Sequence, residues 1–254
     1  MTESENSDVV YCFGFCQACD QLHFLPSARA LPHCRLLMKQ LREEGRMDLD
    51  TPLSEANPLF STDSLYTDLR GKMFGILVCE DDCGNEVVLR AFSSKHNGMW
   101  TISGWAPPLV DPDRFDKTIE AGNTGIHPLT DKVLSLEKGS AEWYRTLSER
   151  RVVSQKVLAE LYALYEVCNF KNEKRSLSGA FNIKKGIPTG TGDCCAPKLL
   201  NHAAKNNLTP VSLAEFFWGR ETASGHRVEG EYYSSCEDKC QPLLGYMLCG
   251  LNRS

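Results

Sequence analysis

The pattern of hydrophobic and polar positions predicts a β-hairpin in the first half of the chain. Two β-rich runs, at residues 73–79 and 86–92, flank a polar turn that contains Asp82 and Gly84. Short runs of this kind on both sides of a turn are typical of antiparallel strands. We therefore expect these residues to form part of a sheet.

Helical periodicity and one further strand follow on either side of the hairpin. Apolar residues at helical spacing predict helices over residues 31–45, 141–168, 195–207 and 235–251, the last one starting at Ser235. Residues 209–218 predict a strand. The many turn-forming residues of 93–139 predict an irregular excursion there.

These elements predict an α/β fold, with a small mixed sheet flanked by helices. We expect a Cys-rich head and helix at residues 1–70, and an α/β domain at 71–254 with an irregular insertion at about 94–140. Phe216 and Trp218 lie in the predicted strand 209–218. We expect the helices at 195–207 and 235–251, which carry cysteines, to pack against this strand, so that loss of either side chain would damage folding.

Charge and composition narrow the range of functions. The 254 residues carry a formal net charge of −5, so we expect no global basic surface for nucleic acid. The first 15 residues lack the basic start and long apolar run of a secretory signal, and no stretch is apolar enough for a membrane span. These features predict a cytoplasmic protein without membrane association. In that reducing compartment, 12 cysteines favour metal binding over disulfides.

Three cysteines near the starts of two predicted helices form the first candidate metal site. Cys194 opens one helix, and Cys236 and Cys240 are four residues apart at the start of another. Thiolates from separate elements are typical ligands of tetrahedral zinc. Cys195 as the fourth ligand would close the site, whereas a water would leave it open. We predict zinc as the cofactor.

The segments that carry these cysteines resemble the cytidine-deaminase-like fold. The segments are "GDCCAPKLLNHA", "LAEFFWG" and "SSCEDKCQPLLGYML", and they follow a predicted hairpin. The resemblance implies an incomplete deaminase-like core. Family members place a proton-shuttling glutamate two residues after the first ligand, where this chain has Ala196. Glu215 is the best replacement as a catalytic residue, and Asp193 is the second candidate.

A second resemblance extends over much of residues 70–251. "GKMFGILVCED", "GIPTGTGDCCAPKLLNHA", "LTPVSLAEFFWG" and "YYSSCEDKCQPLLGYMLCGL" are similar to the N-terminal extension of long bacterial RluA-type pseudouridine synthases. The His-Arg-Leu-Asp motif that carries the catalytic aspartate of the synthase does not occur in this chain. The resemblance implies a bacterial accessory module, with RNA or an RNA-modifying enzyme as its partner.

The head contains a second candidate metal site. Its cysteines Cys12, Cys16 and Cys19 are followed by His33 and Cys34, and His23 is also available. Cys-x2-Cys pairs with a later Cys or His are typical of structural zinc. The spacing of the first three cysteines also matches an iron–sulfur motif.

Three functions remain open from the sequence. The first is a zinc-binding accessory module associated with RNA modification. The second is an active zinc-dependent deaminase of nucleosides or nucleic acid, with a displaced proton shuttle. The third is an iron–sulfur protein that uses the N-terminal cysteines. Cys79, Cys168 and Cys249 each stand alone in an apolar segment, and we predict that they are buried core residues.

Overall fold

The fold was analysed in a computed structural model, which describes residues 10–68, 70–182, 186–223 and 225–251. Most of the N-terminal segment on which the cytoplasmic prediction depends lies outside these residues. The strands are β1 (Val10–Cys16), β2 (Gln21–Pro26), β3 (Lys72–Glu80), β4 (Glu86–Phe92), β5 (Glu166–Cys168), β6 (Lys174–Ser176) and β7 (Thr209–Trp218). The helices are α1 (Leu31–Glu44), α2 (Pro112–Ser135), α3 (Ala141–Ala163), α4 (Leu177–Ala180), α5 (Cys195–Lys205) and α6 (Gln241–Met247).

The predicted α/β class is confirmed, and the sheets are small and antiparallel. β1 pairs with β2, β5 pairs with β6, and the central sheet has the order β4-β3-β7. Three short 3-10 turns lie within residues 53–66. No helix among the described residues is long and apolar enough to cross a bilayer.

The chain divides into two compact units. The first comprises Met1–Leu109, Val167–Arg175 and Ala180–Ser254, and it contains the central sheet and the β1–β2 hairpin. The second comprises Val110–Glu166 and Ser176–Gly179, and its main feature is the antiparallel pair α2 and α3.

The two faces of β7 pack against different elements, because successive side chains of a strand point in opposite directions. Ala214, Phe216 and Trp218 face the core under α1, where the Phe216 ring stacks on Phe74 at a centroid distance of 5.7 Å. Glu215 faces α5 instead. Phe216 and Trp218 therefore pack on the side away from the α5 cysteines, and α5 packs on the other face of β7, as expected for this helix.

Three predicted elements differ from the structure. The region predicted to be irregular contains the 24-residue helix α2, which starts at the capping residue Asp111. The predicted helix 141–168 ends at Ala163, since residues 166–168 pair as β5 with β6. The last helix begins at Gln241 rather than near Ser235, because Pro242 has no N–H and is tolerated only in a first turn.

Candidate metal centre

Four side chains from both ends of the described chain form a compact cluster of metal-binding donors. Cys16 ends β1, Cys19 lies in the hairpin turn, His23 is on β2, and Cys249 follows α6. Their ligand atoms all lie within 4.8 Å of one another. Three thiols and one imidazole are the donor set of a closed, tetrahedral zinc site.

The fold brings these donors together through a close approach of backbones. Gly14 of β1 lies against Gly245 of α6, and a side chain at either position would overlap backbone atoms of the other element. This contact places the turn between β1 and β2 next to the end of α6. As a result, Cys249 Sγ lies 3.7 Å from Cys19 Sγ, although the two residues are 230 positions apart.

The surroundings of the cluster favour the metal-binding forms of Cys16 and His23. Burial raises the pKa of Cys16, but backbone N–H groups of Cys19 and Ala18 and the neighbouring thiols outweigh it, so the net shift is downward. Burial and the charge of Lys171 lower the pKa of His23, which favours the neutral ring. Thiolate and neutral imidazole are the forms that bind zinc.

His23 and Lys171 complete the surroundings of the cluster. His23 Nε2 lies 3.0 Å from Cys19 Sγ, and its Nδ1 is buried without a hydrogen-bond partner in the described part of the chain. The ring therefore presents Nε2 to the thiols. A hydrogen bond to the Cys249 sulfur raises the pKa of Lys171, so this ammonium supplies positive charge beside the thiolates.

The structure takes Cys16, Cys19 and His23 from the predicted N-terminal candidates. Cys34 Sγ contacts the Ala214 carbonyl oxygen at 3.8 Å, and His33 Nε2 lies 3.3 Å from a Glu86 carboxylate oxygen. Cys12 is fully buried, with Ser235 as a hydrogen-bond partner. These three residues therefore lie outside the cluster. Cys249 takes part in their place.

The second group of cysteines lies near the start of α5. Cys194 is the N-cap residue of α5, and Cys236 and Cys240 lie in the turn before α6, where the Cys240 N–H donates to the Cys236 carbonyl at 3.2 Å. The three thiols lie near enough to shift one another's pKa values: Cys194 and Cys240 lower the pKa of Cys236, and Cys236 raises the pKa of both. Within the part of the chain that the structure describes, their donor atoms are not gathered as closely as the four donors of the first cluster.

Glu215 lies directly beside this group. Its Oε1 accepts a hydrogen bond of 3.0 Å from the Ala196 N–H, and its side chain is 5% exposed. Burial raises its pKa to about 7, and the charge of Cys236 adds to the rise. The carboxylate is therefore held at the residue where the deaminase-like resemblance places its glutamate.

Cys195 and Asp193 have other surroundings. The Cys195 thiol is fully buried and donates to the Met73 carbonyl at 3.2 Å, and burial raises its pKa well above the ordinary value. The Asp193 carbonyl accepts from the Ser94 N–H at 2.8 Å, and its carboxylate lies near the ammonium of Lys198. Asp193 thus lies beside Ser94, at the end of β4, and beside Lys198.

The sequence did not indicate Cys249 as a metal ligand of the first cluster. The short spacing of Cys16, Cys19 and His23 is visible in the sequence, but no local pattern connects them to Cys249. Cys249 is a buried residue, as predicted, and it is also a potential ligand.

Comparison of the chain with models of known protein families, with curated proteins and with solved structures gives no match. The two family resemblances therefore stay predictions.

Proposed function

We propose that this protein is a zinc-binding accessory module of RNA modification, stabilised by zinc at Cys16, Cys19, His23 and Cys249. The observation that carries the zinc proposal is the closeness of these four donors. They already lie within reach of one ion, and the four side chains close the site without a further ligand. The link to RNA modification is supported by the resemblance to the synthase extensions.

Metal analysis of the purified full-length chain tests the centre. We expect colourless protein that loses one zinc equivalent in Cys16→Ser and in Cys249→Ser. The matched control is Cys83→Ser, since Cys83 is an exposed cysteine in the β3–β4 turn. Absence of zinc, or equal zinc in all three variants, would contradict the proposal. Iron with visible absorbance would favour the iron–sulfur alternative.

The RNA association has a separate test. A free-standing RluA-type synthase would be assayed for pseudouridine formation in RNA, with and without this protein. We expect the added module to increase the rate or to change which uridines are modified. The Cys249→Ser variant should lose this effect. An unchanged rate and an unchanged pattern of sites would count against an accessory function.

A second candidate function is zinc-dependent deamination, and the position of Glu215 favours it. Cys194, Cys236 and Cys240 are suitable zinc ligands, and zinc there would supply a water of lowered pKa. In the reaction, the water oxygen replaces the amino group of cytosine or adenine, and ammonia leaves. Glu215 would take a proton from the water and give one to the departing nitrogen.

Ammonia release separates this function from the first. The chain would be incubated with cytidine, adenosine and single-stranded RNA. If it deaminates, Glu215→Gln should lower the rate at least about 100-fold with zinc retained. The control is Glu231→Gln, which removes an exposed carboxylate. A wild-type protein that holds zinc but releases no ammonia from any of these would exclude deamination of them.

A further inference from the structure

A cavity of about 490 Å³ lies beside the start of β3 and the end of β4, and its lining is strongly basic. The lining includes Arg70, Lys72, Lys95 and His96, and among the described residues that line it there is no aspartate or glutamate. The whole chain, in contrast, has 33 acidic and 28 basic residues. The basic lining therefore differs from the overall charge of the protein.

Two lysines at this cavity, Lys72 and Lys198, donate to backbone carbonyl groups. Lys72 Nζ donates to the Lys95 carbonyl at 2.6 Å. Behind it, Lys198 Nζ donates to the carbonyls of Phe92 and Ser94 at 2.9 and 3.0 Å. Carbonyl groups satisfy hydrogen bonds without cancelling charge, and buried charges are usually paired.

The two ammonium groups also repel each other. Burial and the charge of Lys198 lower the pKa of Lys72 to about 8. Asp193 is an acid near Lys198, and it raises the pKa of Lys198 against the larger effect of burial. An anion in the cavity would relieve this repulsion. Lys72 and Arg70 have N–H donors beyond those used in their contacts with carbonyls.

His96 is a buried residue of the lining. It is 1% exposed, and Nε2 lies 2.9 Å from the Ser61 carbonyl, so Nε2 carries the hydrogen. Nδ1 is buried as well, without a hydrogen-bond partner among the described residues. We therefore assign the ligand contacts to the arginine and the lysines of the lining.

We propose that this cavity binds the phosphate group of a phosphorylated ligand, with Arg70, Lys72 and Lys95 around the phosphate. Phosphate fits better than carboxylate, because it offers more oxygens and more charge to several cations. The volume also accommodates a body the size of a nucleoside. None of the lining residues belongs to the zinc cluster, so the proposal stands independently of metal.

Calorimetric titration of the full-length protein at constant ionic strength tests the site. The probes are inorganic phosphate, cytidine 5′-monophosphate, cytidine and a short single-stranded RNA. We expect saturable binding of the phosphate-bearing probes and none of cytidine. Lys72→Met and Arg70→Gln should each weaken binding about tenfold or more, since each removes a charged hydrogen-bond donor.

Two further variants keep the result interpretable. Lys39→Gln removes an exposed lysine of α1, and it should change the affinity less than twofold. Lys72→Arg keeps the charge and should retain most of the binding. A preference for the mononucleotide over RNA would assign the phosphate to a small molecule, and the reverse preference would assign it to a polynucleotide. Absence of saturable binding, or an equal loss in Lys39→Gln, would overturn the proposal.

Discussion

Gly75 is the residue that lets α5 approach the central sheet. It lies opposite Glu215 in the β3–β7 ladder. A Cβ atom there would come within 2.7 Å of Cys195 Cβ and 3.2 Å of a Leu199 methyl group. The absence of a side chain therefore brings Cys195 and the start of α5 close to Glu215.

Gly75→Ala should destabilise the fold by about 1–3 kcal/mol, because the new methyl group overpacks the contact with α5. The measurement is urea-induced unfolding followed by tryptophan fluorescence. Gly186→Ala is the control, since a Cβ there meets nothing within 4 Å. A Gly75→Ala protein as stable as this control would show that α5 can move away from the new methyl group without loss of stability.

The buried ring of His96 predicts a dependence of stability on pH. Burial and the charge of Lys72 lower the pKa of His96 to about 4, below the usual value of about 6.5. The unfolded chain therefore binds the proton more readily than the folded chain. The stability contributed by neutral His96 is complete above pH 6.5 and is lost as the pH falls from 6.5 to 4.

After allowance for solvent screening, this contribution is about 2 kcal/mol. The measurement compares wild type with His96→Gln in urea between pH 4.5 and 7.5. We expect the difference between the two free energies of unfolding to shrink with decreasing pH. Using the difference removes the contribution of other titrating groups, such as the cluster cysteines. A difference that does not change with pH would contradict the prediction.

At the scale of elements, α2 shows how tertiary contacts outweigh local propensity. Gly122, Gly125 and Pro128 are poor helix residues, and they led to the prediction of irregular structure. The helix starts with clear signals, since Asp111 accepts a hydrogen bond of 2.9 Å from the Arg114 N–H. Gly122 then allows close packing on α3, because a Cβ there would lie 2.5 Å from a Val157 methyl group.

Gly122 and Gly125 provide a matched pair of substitutions in α2. Both alanine variants gain helix propensity of about 1 kcal/mol. Gly125→Ala should stabilise α2, since its Cβ meets Val153 at an ordinary 3.4 Å. Gly122→Ala should be the less stable of the two by at least about 1 kcal/mol, because Val157 must move. Thermal unfolding followed by far-UV circular dichroism measures both, and equal stabilities would contradict the packing argument.

At the scale of the whole molecule, the cysteine cluster connects the first hairpin to the segment after α6. The four donors come from residues 16–23 and from Cys249, all within the first compact unit. A metal ion there would close a loop that contains most of the chain. Such a cross-link stabilises a fold by restricting the unfolded state.

Removal of metal should therefore loosen both ends of that unit. A strong chelator should lower the melting temperature by about 10 °C, equivalent to about 3 kcal/mol. Amide hydrogen exchange should rise in β1, β2 and α6, and it should change little in α2 and α3, which contribute no ligand. Unchanged exchange in the hairpin after complete loss of zinc would show that the cluster does not hold these elements.

Local patterns in the sequence were sufficient for the central sheet and for α1 and α5, but they did not indicate the β1–β2 and β5–β6 pairs. The β3–β4 hairpin, α1 with its left-handed Gly45 cap, α5 and β7 follow from periodicity and from turn residues, which act over a few positions. The segments around Pro242 and residues 93–139 were misjudged. Both segments contain residues that favour a helix and residues that interrupt one. Which structure forms depends on what the segment packs against.

The sequence by itself determined the α/β class, the hairpin and the availability of cysteines for metal, because these depend on residue type and short spacing. Only the tertiary structure decided which cysteines meet. The approach of Gly14 to Gly245 brings Cys249 to the three donors of the hairpin. The face of β7 that packs against α5 carries Glu215, which places its carboxylate at the Ala196 N–H. Contacts between residues so distant in sequence depend on how complete elements pack, and no local pattern encodes that packing.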